Sequence, residues 1–292
     1  MVADGFLERH VIAVRQALRA RAQVARKRYS QHFLLDAALL RRIVAAAGDL
    51  RGLDVVEIGP GPGGLTAALL EAGADVTALE LDPEWARATA LALVGRGALD
   101  LKVADALASA PAVVAALASR SGRVPRLVSN LPYAIASPLV VELLRAPVPP
   151  DRMIVMVQRE VADRVVARPG DRARGLLSLL VQLRATARRR FLVPAGAFVP
   201  PPKVESAILE IVPDPERAQR LRARGNLEPL LKAAFQARRK TLRRGLAAAA
   251  GEAALARASP TLLARRPEEL TEEEWFTLAD ALASPSGACA AG

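Results

Sequence analysis

Hydrophobic positions along the chain fall into two regimes that change near residue 213. From Asp54 onward, short apolar runs alternate with helical patterns. Asp54–Ile58, Asp75–Leu81, Leu99–Val103, Leu127–Ser129 and Met153–Val157 read as strands. Leu65–Glu71, Pro83–Leu93, Pro138–Leu144, Glu160–Val166 and Leu176–Arg184 carry the helical spacing between and after them. Continuous apolar strands separated by helices predict a parallel sheet covered on both faces, an α/β fold. Phe191–Val193 and Ala207–Val212 read as a closing pair of edge strands. Pro213-Asp214-Pro215 then ends the alternation, and Glu216–Arg224, Leu227–Leu246, Glu252–Ala256, Pro260–Ala264 and Glu272–Ala283 all read as helix.

Upstream, residues 6–28 place Leu7, Val11, Val14 and Leu18 at helical spacing with arginines between them, which suits a solvated leader helix or a basic arm ending in Arg26-Lys27-Arg28. Asp36 is placed to cap a helix running to about Ala47. The expected division is an N-terminal extension over 1–25, a cofactor-binding domain over 26–212, a small all-α domain over 213–283 and a disordered tail over 284–292.

Composition narrows the function. The 292 residues are 52% hydrophobic and 24% charged, the balance of a folding chain, and the net charge of +11 points to a polyanionic partner. Cys289 is the sole cysteine, and His10 and His32 are the only histidines. That excludes a disulfide framework and leaves almost no ligands for a Cys/His metal site, so no metal is expected. No apolar run approaches the roughly 18 residues that span a bilayer, so a cytoplasmic protein with no membrane partner is expected.

The loop after the first strand, Glu57-Ile58-Gly59-Pro60-Gly61-Pro62-Gly63-Gly64, contains G-x-G-x-x-G, and Glu80 follows about 20 residues later at the end of the second strand. Both features serve any adenosine cofactor, including a dinucleotide. Three details favour S-adenosylmethionine. Glu57 sets a carboxylate just ahead of the loop, which suits a cationic amino-acid end. Pro60 and Pro62 cannot donate the N–H groups that phosphate cradles use. Asp105, past the third strand, is placed to accept from an adenine amino group. At the fourth strand end, Ser129-Asn130-Leu131-Pro132-Tyr133 sets a carboxamide, a backbone carbonyl and an aromatic face together, as if to hold something flat.

Gln31-His32-Phe33-Leu34, EIGPGPGGLT, Glu80–Asp82, Ala104-Asp105, NLPY, VQREVADR (Val157–Arg164), FVPPPKVESA (Phe198–Ala207) and FQARRKTLRRGL (Phe235–Leu246) occur in that order. In this the chain resembles the rRNA adenine N6-dimethyltransferases, in particular the KsgA branch acting near the 3′ end of small-subunit rRNA. The resemblance implies a Rossmann-like class I methyltransferase sheet and N6-dimethylation by a monomer acting on small-subunit rRNA or a pre-ribosomal small subunit, with a role in ribosome assembly. It carries cofactor contacts onto Gln31, His32, Leu34, Glu57, Gly59, Gly61, Glu80, Leu81, Asp105, Ala106 and Asn130. It carries catalysis onto Asn130, Leu131, Pro132, Tyr133 and Phe198, with Phe198 closing the face of the base opposite Tyr133. The macrolide-resistance methyltransferases of large-subunit rRNA, and an RNA-binding assembly factor with incidental methylation, are the alternatives.

Three positions depart from the family pattern: Ser30 stands where glycine is usual, Ala134 where asparagine commonly follows the tyrosine, and Arg174 where an aromatic is frequent. Within 235–246, Arg238, Arg239, Lys240, Arg243 and Arg244 alternate with Phe235, Leu242 and Leu246. On one continuous helix, Arg239 and Arg243 would share a stripe, as would Lys240 and Arg244, which suits a surface tracking RNA phosphates. Arg188-Arg189-Arg190 and Arg265-Arg266 would extend that track.

Overall fold

The computed structural model describes residues 5–21, 32–225 and 227–283. The expectations for Gln31, Ser30, Arg26–Arg28 and the tail over 284–292 lie outside the described residues.

The elements run α1 (Phe6–Arg21), β1 (Phe33–Leu34), α2 (Ala37–Ala46), β2 (Asp54–Ile58), α3 (Gly64–Glu71), β3 (Asp75–Glu80), α4 (Pro83–Ala92), β4 (Leu99–Val103), α5 (Ala106–Ser121), β5 (Arg126–Asn130), α6 (Ala136–Arg145), β6 (Met153–Gln158), α7 (Arg159–Val165), α8 (Leu176–Gln182), β7 (Ala185–Val193), β8 (Phe198–Val199) and β9 (Ser206–Pro213). The helices α9 (Pro215–Arg222), α10 (Leu227–Gln236), α11 (Leu242–Ala250), α12 (Glu252–Leu255), α13 (Pro260–Ala264) and α14 (Glu272–Leu282) follow. Among the described residues no helix is long and apolar enough to cross a membrane.

The sheet order is β4-β3-β2-β5-β6-β9-β7, with β2, β3, β4, β5 and β6 parallel and β9 antiparallel to β6. The order reverses between β2 and β5, and open α/β sheets bind ligands past the strand ends at such a switch point. Here the two strands stay in register only at Val55↔Arg126 and Val56↔Leu127. Beyond that they are joined through a side chain: the Ser129 hydroxyl donates to the Ile58 carbonyl at 2.7 Å and accepts from the Ile58 N–H at 3.3 Å. A hydroxyl thus satisfies the groups left by the diverging strands, and the gap beyond it becomes a cleft.

The chain divides into two compact units, 1–162 with 188–213, and 163–187 with 214–292. Residues 163–187, expected in the cofactor-binding domain, therefore belong with the C-terminal helices. The reason is packing: Leu179 and Leu183 are buried in one core with Leu227, Leu231, Leu246 and Trp275. Residues 6–21, expected as part of a separate extension with a solvated or RNA-touching helix, lie in the first unit. Leu7 and Val11 of α1 are buried in the same core as Leu35, Ile43 and Leu69.

Two helices depart from expectation. α5 has no clear helical signature in its sequence, because Pro111 interrupts a run of small residues; Asp105 caps its first turn by accepting from the Leu107 N–H at 2.9 Å. The single helix expected over 227–246 is two, α10 and α11, with residues 237–241 in a turn between them.

Candidate active site

The glycine loop is shaped by tethers from behind. Gly59 has φ +63°, and a Cβ there would meet Cγ of Pro132 at 3.0 Å, so glycine avoids backbone strain and lets the NLPY turn lie close against the loop. The Gly59 N–H donates to the Leu79 carbonyl at 2.8 Å and the Gly63 N–H to the Pro60 carbonyl at 3.0 Å. Three side chains from three elements complete the hold. Glu80 of β3 accepts from the Gly61 N–H at 3.0 Å, Thr89 of α4 donates to the Gly61 carbonyl, and His10 of α1 bonds the Pro62 carbonyl at 3.1 Å.

In front of the loop lies a cleft lined by Phe33, Leu34, Glu57, Gly59, Pro62 and Asn130 among others. Glu57 is 2% exposed and one of its carboxylate oxygens has no partner. Burial, with the Glu80 charge adding to it and the Thr66 hydroxyl opposing, pushes the Glu57 carboxyl up to about 8. An orphaned acid of this kind fits the ammonium end of an amino-acid cofactor, which would supply both charge and donors.

At the other wall, the Asn130 amide nitrogen donates to the His32 carbonyl at 3.4 Å. A carbonyl can only accept, so the nitrogen must face it, which leaves the carboxamide oxygen as the free acceptor. The Pro132 carbonyl already accepts from the Ile135 N–H at 3.0 Å, whereas among the described residues nothing donates to the Leu131 carbonyl. Tyr133 is held by its hydroxyl, 2.7 Å from the Ser206 hydroxyl on β9, and its ring lies 6.1 Å from that of His32. Burial raises the Tyr133 pKa, so the phenol stays neutral. His32 in turn bonds the Pro200 carbonyl through Nδ1 at 2.8 Å.

The structure therefore gathers Leu34, Glu57, Gly59 and Asn130 around one cleft, with His32, Leu131, Pro132 and Tyr133 beside them. Other expected residues stand apart from its lining. Phe198 is 2% exposed and packs into the hydrophobic core from β8, paired with Leu34 across the short β1–β8 ladder. Its ring is therefore buried in the core rather than lining the cleft. Glu80 spends one lone pair of each oxygen on backbone N–H groups, from Gly61 and, at 3.0 Å, from Asp82. Asp105 is exposed and caps α5, Ala106 is buried behind it, and Leu81 is 57% exposed at the end of β3. His10, Thr66, Thr89, Ser129 and Ser206 carry no role that the sequence alone suggests. One signal was available: His10 lies on the apolar stripe of its helix, three residues after Leu7 and four before Val14.

In the second unit the basic residues separate by partner. Arg238 donates to the Arg172 carbonyl at 2.7 Å, and Arg243 pairs with Glu252 at 3.0 Å. Arg239, Lys240 and Arg244 are exposed and have no ion-pair partner among the described residues. The expected stripes do not form, because the turn at 237–241 takes Arg239 and Lys240 off the helix that carries Arg243 and Arg244. In the first unit Arg188 and Arg190 both pair with the buried Glu210, and in the second Arg265 pairs with Glu274.

Comparison with known proteins gives the family. Residues 22–284 match the family described as Ribosomal RNA adenine dimethylase. The chain is 42% identical over 270 residues, 92% of each sequence, to "Ribosomal RNA small subunit methyltransferase A" of Phenylobacterium zucineum. To the protein of the same name in Caulobacter vibrioides it is 45% identical, covering 78% of this chain and 86% of that one. Among solved structures, a dimethyladenosine transferase from Plasmodium falciparum superposes with a TM-score of 0.70 at 24% identity, covering 85% of this chain and 96% of that one. The 23S rRNA methyltransferase ErmE gives 0.60 at 26%, covering 86% and 99%.

Proposed function

The chain belongs to the ribosomal RNA adenine dimethylase family, and from that premise we propose that it dimethylates the exocyclic nitrogen of adenines near the 3′ end of small-subunit rRNA, acting as a cytoplasmic monomer. The observation that carries the reading is the forced orientation of Asn130, whose nitrogen is committed to His32 while its oxygen is left to accept.

S-adenosylmethionine supplies an electrophilic sulfonium methyl when bound. Glu57, buried with an unpartnered oxygen in the cleft, would hold its amino-acid end. Adenine's amino nitrogen is a poor nucleophile because its lone pair is delocalised into the ring. If the Asn130 oxygen and the Leu131 carbonyl accept its two N–H groups, the nitrogen is drawn toward tetrahedral geometry and its lone pair is aimed. Pro132 fixes the turn, and its own carbonyl is taken up by Ile135. Tyr133, pinned through Ser206, offers a stacking face for the base, which must leave any helical stack to arrive there. Positioning of this kind contributes on the order of 7–11 kcal/mol to a barrier. It needs no general base at the outset, since the amino proton becomes acidic only once the methyl has arrived.

Within 238–244, Arg239, Lys240 and Arg244 are exposed cations without an ion-pair partner among the described residues and so available to RNA phosphates, which position an RNA without reading its sequence. The test of the mechanism is Asn130→Ala. Methyl transfer to small-subunit rRNA should fall at least ~100-fold, the loss of one preorganised acceptor, while calorimetry still detects S-adenosylmethionine binding. Near-normal turnover would overturn the lone-pair argument, and binding of NAD alone would overturn the cofactor assignment.

A further inference from the structure

We propose that α1 is a strap behind the glycine loop of the cofactor cleft and that His10 is a positioning residue holding the loop in its cofactor-binding shape. The inference rests on the proposed function for the identity of the cofactor. It concerns a helix that ends before residue 22, where the family match begins.

The argument starts from what the loop lacks. Pro60 and Pro62 have no N–H, and Gly59, Gly61 and Gly63 all sit at positive φ, so the loop has few bonds of its own and soft hinges between its peptides. Pro62 is buried, and a buried acceptor left unpaired destabilises the loop shape that leaves it so. Its carbonyl would regain a partner by rotating the Pro62–Gly63 peptide, which glycine permits. That rotation would move Pro62, which lines the cleft, and Gly63, which caps the start of α3.

His10 prevents it. Its Nε2 lies 3.1 Å from the Pro62 oxygen, and since a carbonyl only accepts, Nε2 carries the proton. The residue is 7% exposed, and burial lowers its pKa, so the neutral tautomer is the one present. Phe6 packs against it with ring centroids 5.8 Å apart.

The strap is anchored on both sides. Arg41 of α2 bonds Glu8 of α1 and, at 3.0 Å, Glu71 of α3, and this guanidinium holds the Glu8 carboxyl down to about 2. Arg15 donates to the Leu35 carbonyl, one residue past the cleft-lining Leu34. One helix thus holds the glycine loop through His10 and the Phe33–Leu35 segment packed on that loop through Arg15.

The test compares S-adenosylmethionine affinity by calorimetry in the full chain and in His10→Leu, His10→Gln and Arg15→Met. A glutamine amide can place its nitrogen near the position of Nε2, and leucine cannot donate. His10→Leu should bind S-adenosylmethionine about 10-fold more weakly, the equivalent of one lost buried bond. His10→Gln should stay within about 2-fold of the unaltered chain, and kcat at saturating cofactor should be close to unaltered in both. Wild-type affinity in His10→Leu, or equal loss in His10→Gln, overturns the role of His10. Arg15→Met leaves the His10 bond intact and serves if His10→Leu does not fold: several-fold weaker binding supports the strap, and unchanged affinity overturns it. Failure of the unaltered chain to bind S-adenosylmethionine would overturn the proposed function and this inference with it, whereas equal affinity across all variants overturns this inference alone.

Discussion

Two buried ionisable groups, one in each unit, have opposite surroundings. Arg174 is 0% exposed and its guanidinium spends four bonds on the Ala167 carbonyl (2.9 Å), Gln182 (2.6 Å), the Leu270 carbonyl (3.1 Å) and Glu272 (2.7 Å). Glu57 is as deeply buried, yet one carboxylate oxygen has no partner and the Glu80 charge near it is repulsive. A buried charge whose bonds are nearly all made within the chain is a structural tie. One whose bonds are left open, beside a cleft, is made for a ligand. The difference lies in unfilled valence rather than in burial.

The strongest way to break this comparison is to remove Arg174. Arg174→Leu strands Glu272, Gln182 and two carbonyls, and loss of one member of a buried charged network costs about 3–5 kcal/mol. Denaturant unfolding followed through Trp275, which shares the core of that unit, should show a loss of this size with S-adenosylmethionine affinity retained. A loss below about 1 kcal/mol, well under that range, would show that the arginine is incidental.

Glu57→Gln should act in the opposite sense. The folded protein holds its Glu57 proton up to about pH 8, whereas the unfolded chain releases it near 4.5, so the carboxyl's contribution to stability is present below that lower value and is lost as pH rises through the window. The glutamine variant should therefore match the parent near the bottom of the window and become progressively more stable than it up to the top, by on the order of 3–5 kcal/mol. It should also bind S-adenosylmethionine about 10-fold more weakly, as expected for a lost bond between charged groups. Since a cationic partner stabilises the carboxylate, S-adenosylmethionine affinity of the parent should rise as pH approaches about 8 and level off above, with a proton released on binding. Glu57→Gln should flatten that profile, and a parental profile in the variant would remove Glu57 from the cofactor site.

Exposed, unpaired cations give the third and mildest case. Replacing Arg239, Lys240 and Arg244 together with serine should leave stability within about 0.5 kcal/mol. It should lower the slope of log affinity for RNA against log salt by about 0.7 for each phosphate no longer neutralised. An unchanged slope would make this turn an ordinary solvated surface.

The strands of the sheet, their alternation with helices and the residues at the strand ends were legible because each is a local pattern: an apolar run, a glycine loop, an amide before a proline. Residues 163–187 were misassigned because α8 shows an apolar face but not the core it joins. The helix break at 237–241 was hidden because arginine and lysine favour helix and nothing in the run stops it. Phe198 was given a place opposite Tyr133 by resemblance, a place no local pattern could check, and it lies buried in the core.

By itself the amino-acid sequence determined the α/β sheet, since that follows from periodicity and from residues adjacent in the chain. The tertiary structure alone decided which groups are spent and which are free. The bonds of Thr89 to Gly61, His10 to Pro62, Asn130 to His32 and Arg174 to Glu272 join residues 28, 52, 98 and 98 positions apart. No local pattern encodes a partner at that separation. Whether a polar group meets one in the core settles whether it holds the fold or waits for a ligand.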